Sequence, residues 1–179
     1  EELGQTWSTI NVEQVRDGDA DRTVLIFGGG YNIDQDSATV TSEDDVGATV
    51  YIADALSGER LWAASHDNMD YSIPARVTTL DTSGDGYIDR LYAADMGGQI
   101  FRFDINNTNG ALGSSIIGGR IADLADASTA DSSKTQANAR RFYYPPDVAL
   151  VNAADGPFHG LVISSGFRAH PLNDAIHDK

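Results

Sequence analysis

Tyr51-Ile52-Ala53-Asp54-Ala55-Leu56-Ser57-Gly58-Glu59-Arg60-Leu61-Trp62 is the stretch whose reading decides the fold. A short apolar run ends on Asp, a Ser-Gly turn signal follows, and a second run ends on Trp, which is the pattern of a β-hairpin. A similar unit, Tyr92-Ala93-Ala94-Asp95 with Gly97-Gly98 and Ile100-Phe101, begins 41 residues further on. That interval matches the period of about 40–50 residues found in β-propellers, whose blades are four antiparallel strands.

Working outward, strand-like runs bounded by Gly, Asp, Asn or Pro occupy 23–27, 49–53, 60–63, 75–80, 90–93, 99–103, 148–151 and 161–164. The 18 glycines fall largely at the ends of such runs, where turns require positive φ. Apart from a weak patch at 122–127, no segment carries a helical period. The expected class is all-β: a propeller-like arrangement of four-stranded antiparallel blades in a single domain spanning 1–179. At this period 179 residues hold about four blades, the low end for closing a ring, so the chain reads as a partial propeller or a fragment. Residues 106–141, rich in Gly, Ser, Ala, Asp and Thr, read as a long loop excursion.

Twelve Lys and Arg against 27 Asp and Glu give a formal charge of −15. This opposes binding to a phosphate backbone and favours cation binding. No apolar run approaches the roughly 18 residues of a membrane helix, and no secretory n- and h-region opens the chain. The absence of cysteine removes disulfides, Cys-ligated metals and thiol nucleophiles together.

The chemistry concentrates in Asp81-Thr82-Ser83-Gly84-Asp85-Gly86-Tyr87-Ile88-Asp89. Calcium takes about six to eight hard oxygens, and a short loop supplies them from alternate positions around a sharp Gly turn. Asp81, Ser83 and Asp85 are those alternate positions. Gly86 makes the turn, the carbonyl of Tyr87 follows, and Asp89 closes the set, while Ile88 points into the fold. An EF-hand would need a bidentate Glu at its twelfth position; here that position is Tyr92 and the flanks are strand-like. Ser83 is the weak ligand, so modest affinity is expected, with Ca2+ loading favoured outside the cytosol.

Other candidates carry less. Gly28-Gly29-Gly30-Tyr31 follows a strand but lacks the spacing of a dinucleotide loop and reads as a tight turn. His66 with Asp67 and Asp70, and His170 with Asp174 and His177, have no recognised zinc spacing. Asp34 and Asp36 lie in an acidic loop without an Asp-Gly turn. No Gly-x-Ser-x-Gly elbow or other catalytic constellation occurs, so a non-enzyme is expected. Trp7, Trp62, Phe101, Phe103, Phe142, Tyr143 and Tyr144 read as core or inter-blade packing.

Several phrases taken together resemble the C-terminal propeller of the PilC/PilY family of type IV pilus biogenesis proteins. They are Leu3-Gly4-Gln5-Thr6-Trp7-Ser8, Phe27-Gly28-Gly29-Gly30-Tyr31-Asn32, the 81–92 stretch with Ala94-Asp95, the 98–104 stretch, and Gly166-Phe167-Arg168-Ala169-His170-Pro171-Leu172. The resemblance implies a β-propeller with a calcium loop that maps onto Asp81, Ser83, Asp85, Tyr87 and Asp89, where Ser83 replaces the family's more usual Asp or Asn. It implies a role in pilus assembly, in the balance of extension against retraction, and in tip-associated adhesion. Pilins or pilus assembly proteins are the implied partners, with a host surface or other cells further candidates. The implied location is the surface of a Gram-negative bacterium, reached through the periplasm. The family's large N-terminal region is not represented in this sequence. Two alternatives rest on single motifs: a blade of a quinoprotein dehydrogenase, from Ala53-Asp54-Ala55-Leu56-Ser57-Gly58 with Leu61-Trp62, and an integrin-like calcium-dependent adhesin or lectin, from the 81–89 loop.

Overall fold

Period-2 burial organises the strands of the computed structural model, which describes residues 3–36, 43–64, 66–108, 110–125 and 140–172. Three strands show how the pattern works. In β1 (Asn11–Asp17) Val15 is fully buried and Val12 is exposed. In β2 (Ala20–Gly28) Val24 and Ile26 point inward. In β3 (Val50–Asp54) Val50 and Ile52 do the same. With β4 (Arg60–Ala63) they form a four-stranded antiparallel sheet in the order β1-β2-β3-β4. A second sheet of the same order joins β5 (Thr78–Leu80), β6 (Arg90–Ala94), β7 (Gln99–Ile105) and β8 (Ile116–Asp123). A one-turn helix, α1 (Leu112–Ser115), leads into β8, and β9 (Asp147–Ala153) pairs with β10 (Gly156–Val162) as a two-stranded ribbon.

The two sheets share one core. Val15, Val24, Ile26, Val50 and Ile52 of the first meet Leu91, Ala93, Phe101, Phe103 and Ile105 of the second. Phe101 is fully buried, and burying such a ring contributes about 1.5–3 kcal/mol relative to exposure. The opposite face of the second sheet, through Ala94 and Ile100, packs on Phe142 and on Leu161 of the ribbon. Trp62 meets Phe103 edge-on, with centroids 5.2 Å apart.

Each sheet is an antiparallel meander with the topology of a propeller blade. Among the described residues, however, two such sheets and a ribbon do not close a ring, which takes about four to eight blades. The 41-residue interval is not the repeat of the sheets. Tyr51 lies in the third strand of its sheet and Tyr92 in the second strand of its own. The first strands of the sheets begin at Asn11 and Thr78, 67 residues apart. Long connections between β2 and β3 and between β4 and β5 account for the longer spacing.

The expected excursion at 106–141 is also corrected. Its 116–123 portion is β8, paired with β7 from Ile105↔Ile116 to Gln99↔Asp123, while 126–139 lies outside the described residues. Gly118 and Gly119, which read as loop, serve packing. A Cβ on Gly118 would collide with the Arg102 carbonyl oxygen, and one on Gly119 would come within 2.5 Å of His66 Nε2. The strand at 161–164 is shifted to 156–162. Gly28-Gly29-Gly30 is a turn of close backbone approach, in which Gly29 abuts Gly47 and Gly30 takes φ +110°.

Candidate metal centre

The 81–89 loop joins β5 to β6, so strands flank it as expected, and the Asp89 amide donates to the Leu80 carbonyl at 2.9 Å. Gly84 and Gly86 take φ of 75° and 91°, conformations that a side chain would strain. Asp81 acts as the loop's internal cap. Its Oδ2 accepts from the Gly86 amide at 2.8 Å. Its Oδ1 accepts from Gly84 N at 2.6 Å, Asp85 N at 3.3 Å and Ser83 Oγ at 3.2 Å. The Gly86 amide is the largest influence holding the Asp81 carboxyl below the ordinary carboxylate range; desolvation opposes it and the other donors reinforce it. From the far end, Asp89 Oδ2 accepts from Thr82 N at 2.7 Å, Thr82 Oγ1 at 2.8 Å and Ser83 N at 3.0 Å. Asp85 Oδ1 accepts from Tyr87 N at 3.0 Å.

The two end carboxylates therefore gather the loop's amides. Among the described residues no three His, Cys, Asp or Glu side chains are grouped as a ready cation cage, and this applies to Asp81, Asp85 and Asp89. The donor chemistry nonetheless suits a hard cation. Every donor is oxygen, Asp81 is held ionised, and Asp85 Oδ2 and Asp89 Oδ1 accept no hydrogen bond among the described residues.

The loop is tied to both sheets, and this part of the site was not read from the sequence. Ile88 is 7% exposed. Its amide donates to Gln14 O of β1 at 2.9 Å, and its carbonyl accepts from Asn107 Nδ2 at 3.0 Å. Asn107 Oδ1 in turn accepts from the Arg16 amide at 3.0 Å. The Tyr87 hydroxyl donates to Asp21 Oδ1 of β2 at 2.8 Å, and the Arg16 guanidinium lies 4.4 Å from the Tyr87 ring centroid. The only signal for this joint in the sequence is the two-residue Gly18-Asp19 turn, which marks the β1–β2 hairpin.

The remaining candidates have packing roles where they are described. His66 faces Asn68 through Nδ1, 3.3 Å from the Asn68 amide, and its ring stands edge-on to Phe101 at 6.4 Å. Asp34 and Asp36 lie in a single 3-10 turn, Ile33–Asp36, where Asp36 Oδ1 accepts from the Tyr31 hydroxyl at 2.5 Å. His170 Nε2 contacts Asp36 O at 2.9 Å, while Asp174 and His177 fall outside the described residues. The quinoprotein-like phrase is accounted for by turn chemistry: Asp54 Oδ1 caps the Leu56 and Ser57 amides at 2.9 and 2.8 Å.

This architecture corresponds to a solved one. The crystal structure of the Pseudomonas aeruginosa PilY1 C-terminal domain superposes on 92% of this chain with a TM-score of 0.61 at 20% sequence identity. The chain has the fold of part of the PilY1 C-terminal domain. It covers 33% of that PilY1 chain. In sequence, 82 residues, 45% of the chain, are 30% identical to the type IV pilus biogenesis factor PilY1 homolog of Xylella fastidiosa. That match spans 6% of the relative's length. No family model matches the chain. Among the described residues no helix is long and apolar enough to cross a membrane.

Proposed function

We propose that this chain is part of a type IV pilus biogenesis protein of the PilY1 kind, and that its 81–89 loop binds calcium and so stiffens the joint between the two sheets. The observation that carries the reading is the loop's double attachment. Its oxygen donors are arrayed on either side of the positive-φ glycines Gly84 and Gly86, and the residue that follows the Tyr87 carbonyl is bonded to β1 and to Asn107. Asp81, Ser83, Asp85, the Tyr87 carbonyl and Asp89 are the residues that would hold the ion. The ion would supply charge neutralisation and a fixed coordination geometry to the loop's oxygen donors. The two sheets are blades of a larger propeller in this reading. The role is regulatory and adhesive rather than enzymatic: pilins or pilus assembly proteins at the cell surface are the partners, and the loop's state bears on extension and retraction.

Thermal melting of the parent and of Asp85→Ala, each in calcium and in chelator, tests the calcium reading. A ligand at about 100 times its Kd stabilises the native state by about 2.7 kcal/mol. Calcium is expected to raise the parent's melting temperature and to leave that of Asp85→Ala unchanged. Equal melting of both proteins in both conditions would sink the reading.

A further inference from the structure

Three phrases that lie far apart in the sequence, 3–8, 27–32 and 166–172, meet at one place outside the 81–89 loop. Gly4 N donates to Gly29 O at 2.9 Å, and Gln5 and Tyr31 exchange two backbone hydrogen bonds of 2.8 Å. That ladder sets Trp7 flat on Tyr31, with centroids 4.1 Å apart at 16°. Beneath it Tyr31 is buried, its hydroxyl fixed by Asp36, and Tyr143 stands 6.0 Å away. The Arg168 guanidinium lies 5.8 Å from the Trp7 ring, 5.5 Å from Tyr143 and 5.8 Å from Tyr144. All three distances are within reach of a cation–π contact.

Despite this ordering, Trp7 is 48% and Tyr144 57% exposed, and Arg168 is exposed as well. Scattered exposed apolar residues need no explanation. A stacked Trp, a Tyr and an Arg clustered around one charge is the composition that dominates binding hot spots. Side chains already held in place also lose little freedom when a partner arrives. The charge indicates what the surface accepts. Arg16, Arg22, Arg90, Arg102 and Arg120 each pair with an Asp, whereas Arg168, like Arg60 and Arg76, has no carboxylate partner among the described residues and, unlike them, sits among aromatic rings. It is an unneutralised cation, framed by rings, on a chain of net charge −15.

We propose that Trp7, Tyr144 and Arg168 form a docking surface for a protein segment that presents a carboxylate beside an apolar side chain. The carboxylate meets the guanidinium fork and the apolar group lies on the exposed rings. The test titrates the full chain with an acetylated, amidated Glu-Phe-Glu-Phe peptide and with its Gln-Phe-Gln-Phe counterpart, following tryptophan fluorescence and binding heat. Trp62 packs against the core, so a fluorescence change reports Trp7. The Glu peptide is expected to bind at least about tenfold more tightly than the Gln peptide, a difference of about 1.4 kcal/mol. Arg168→Gln is expected to abolish that preference while leaving the melting temperature within about 1 °C of the parent, as befits a surface substitution. Trp7→Phe, which keeps a stacking ring on Tyr31, is expected to lose the fluorescence response. Equal binding of the two peptides, an undiminished preference in Arg168→Gln, or no saturable binding would overturn the proposal. So would a concentration-dependent mass increase that Arg168→Gln removes, since the surface would then serve self-association.

Discussion

Asn107→Ala tests the joint between the 81–89 loop and the first sheet. Asn107 is 9% exposed and bridges the two with one side chain, donating to Ile88 O and accepting from Arg16 N, each at 3.0 Å. Its removal leaves a carbonyl and an amide without partners at a largely buried position. Each such orphaned group costs about 1–3 kcal/mol; taking the lower half of that range for partly buried groups, the pair sums to about 2–4 kcal/mol. For a chain of this size 1 kcal/mol corresponds to about 2–4 °C of melting temperature, so a fall of about 4–16 °C is expected by calorimetry in chelator. Asn107→Leu fills the same volume without either bond and separates hydrogen bonding from cavity formation. It is expected to fall by a similar amount. If Asn107→Leu melts with the parent, volume rather than bonding explains the site, and the joint described here is refuted.

Further expectations concern the loop's cap and the unread strand. The depressed Asp81 carboxyl contributes stability that is present above the ordinary carboxylate range and lost as pH falls through its lowered value. In chelator the parent should therefore lose melting temperature between about pH 5 and about pH 3 more steeply than Asp81→Asn; parallel slopes would refute the capping role. Gly118→Ala places a Cβ against the Arg102 carbonyl and the Phe103 Cα. Overpacking of this kind costs about 1–3 kcal/mol, and an unchanged melting temperature would show that β8 does not pair as described.

The hairpin from β6 to β7 was legible because Phe101, Phe103 and Ile105 alternate inward between clear turn glycines. β1 was not, since of its sequence Asn-Val-Glu-Gln-Val-Arg-Asp only Val15 is buried, and tertiary pairing with β2 overrides that weak pattern. β8 was hidden by Gly118 and Gly119, which signal loops in isolation but here admit a crossing backbone and an imidazole. The nine-residue loop was legible as a turn because its glycines demand positive φ and Ile88 demands burial. Its attachments to Gln14, Asp21 and Asn107 were not, because polar contacts across 19 to 74 residues of sequence leave no local signature. Trp7 and Tyr144 read as packing residues on size alone. The structure instead leaves them exposed around Arg168, and aromatic area by itself does not specify which way a ring faces.

Calcium titration calorimetry of the full chain, alongside Asp89→Asn, measures the central claim most directly. The expected result is one saturable calcium site in the parent, greatly weakened in Asp89→Asn. An absence of binding heat in the parent, or the same affinity in both proteins, would contradict it.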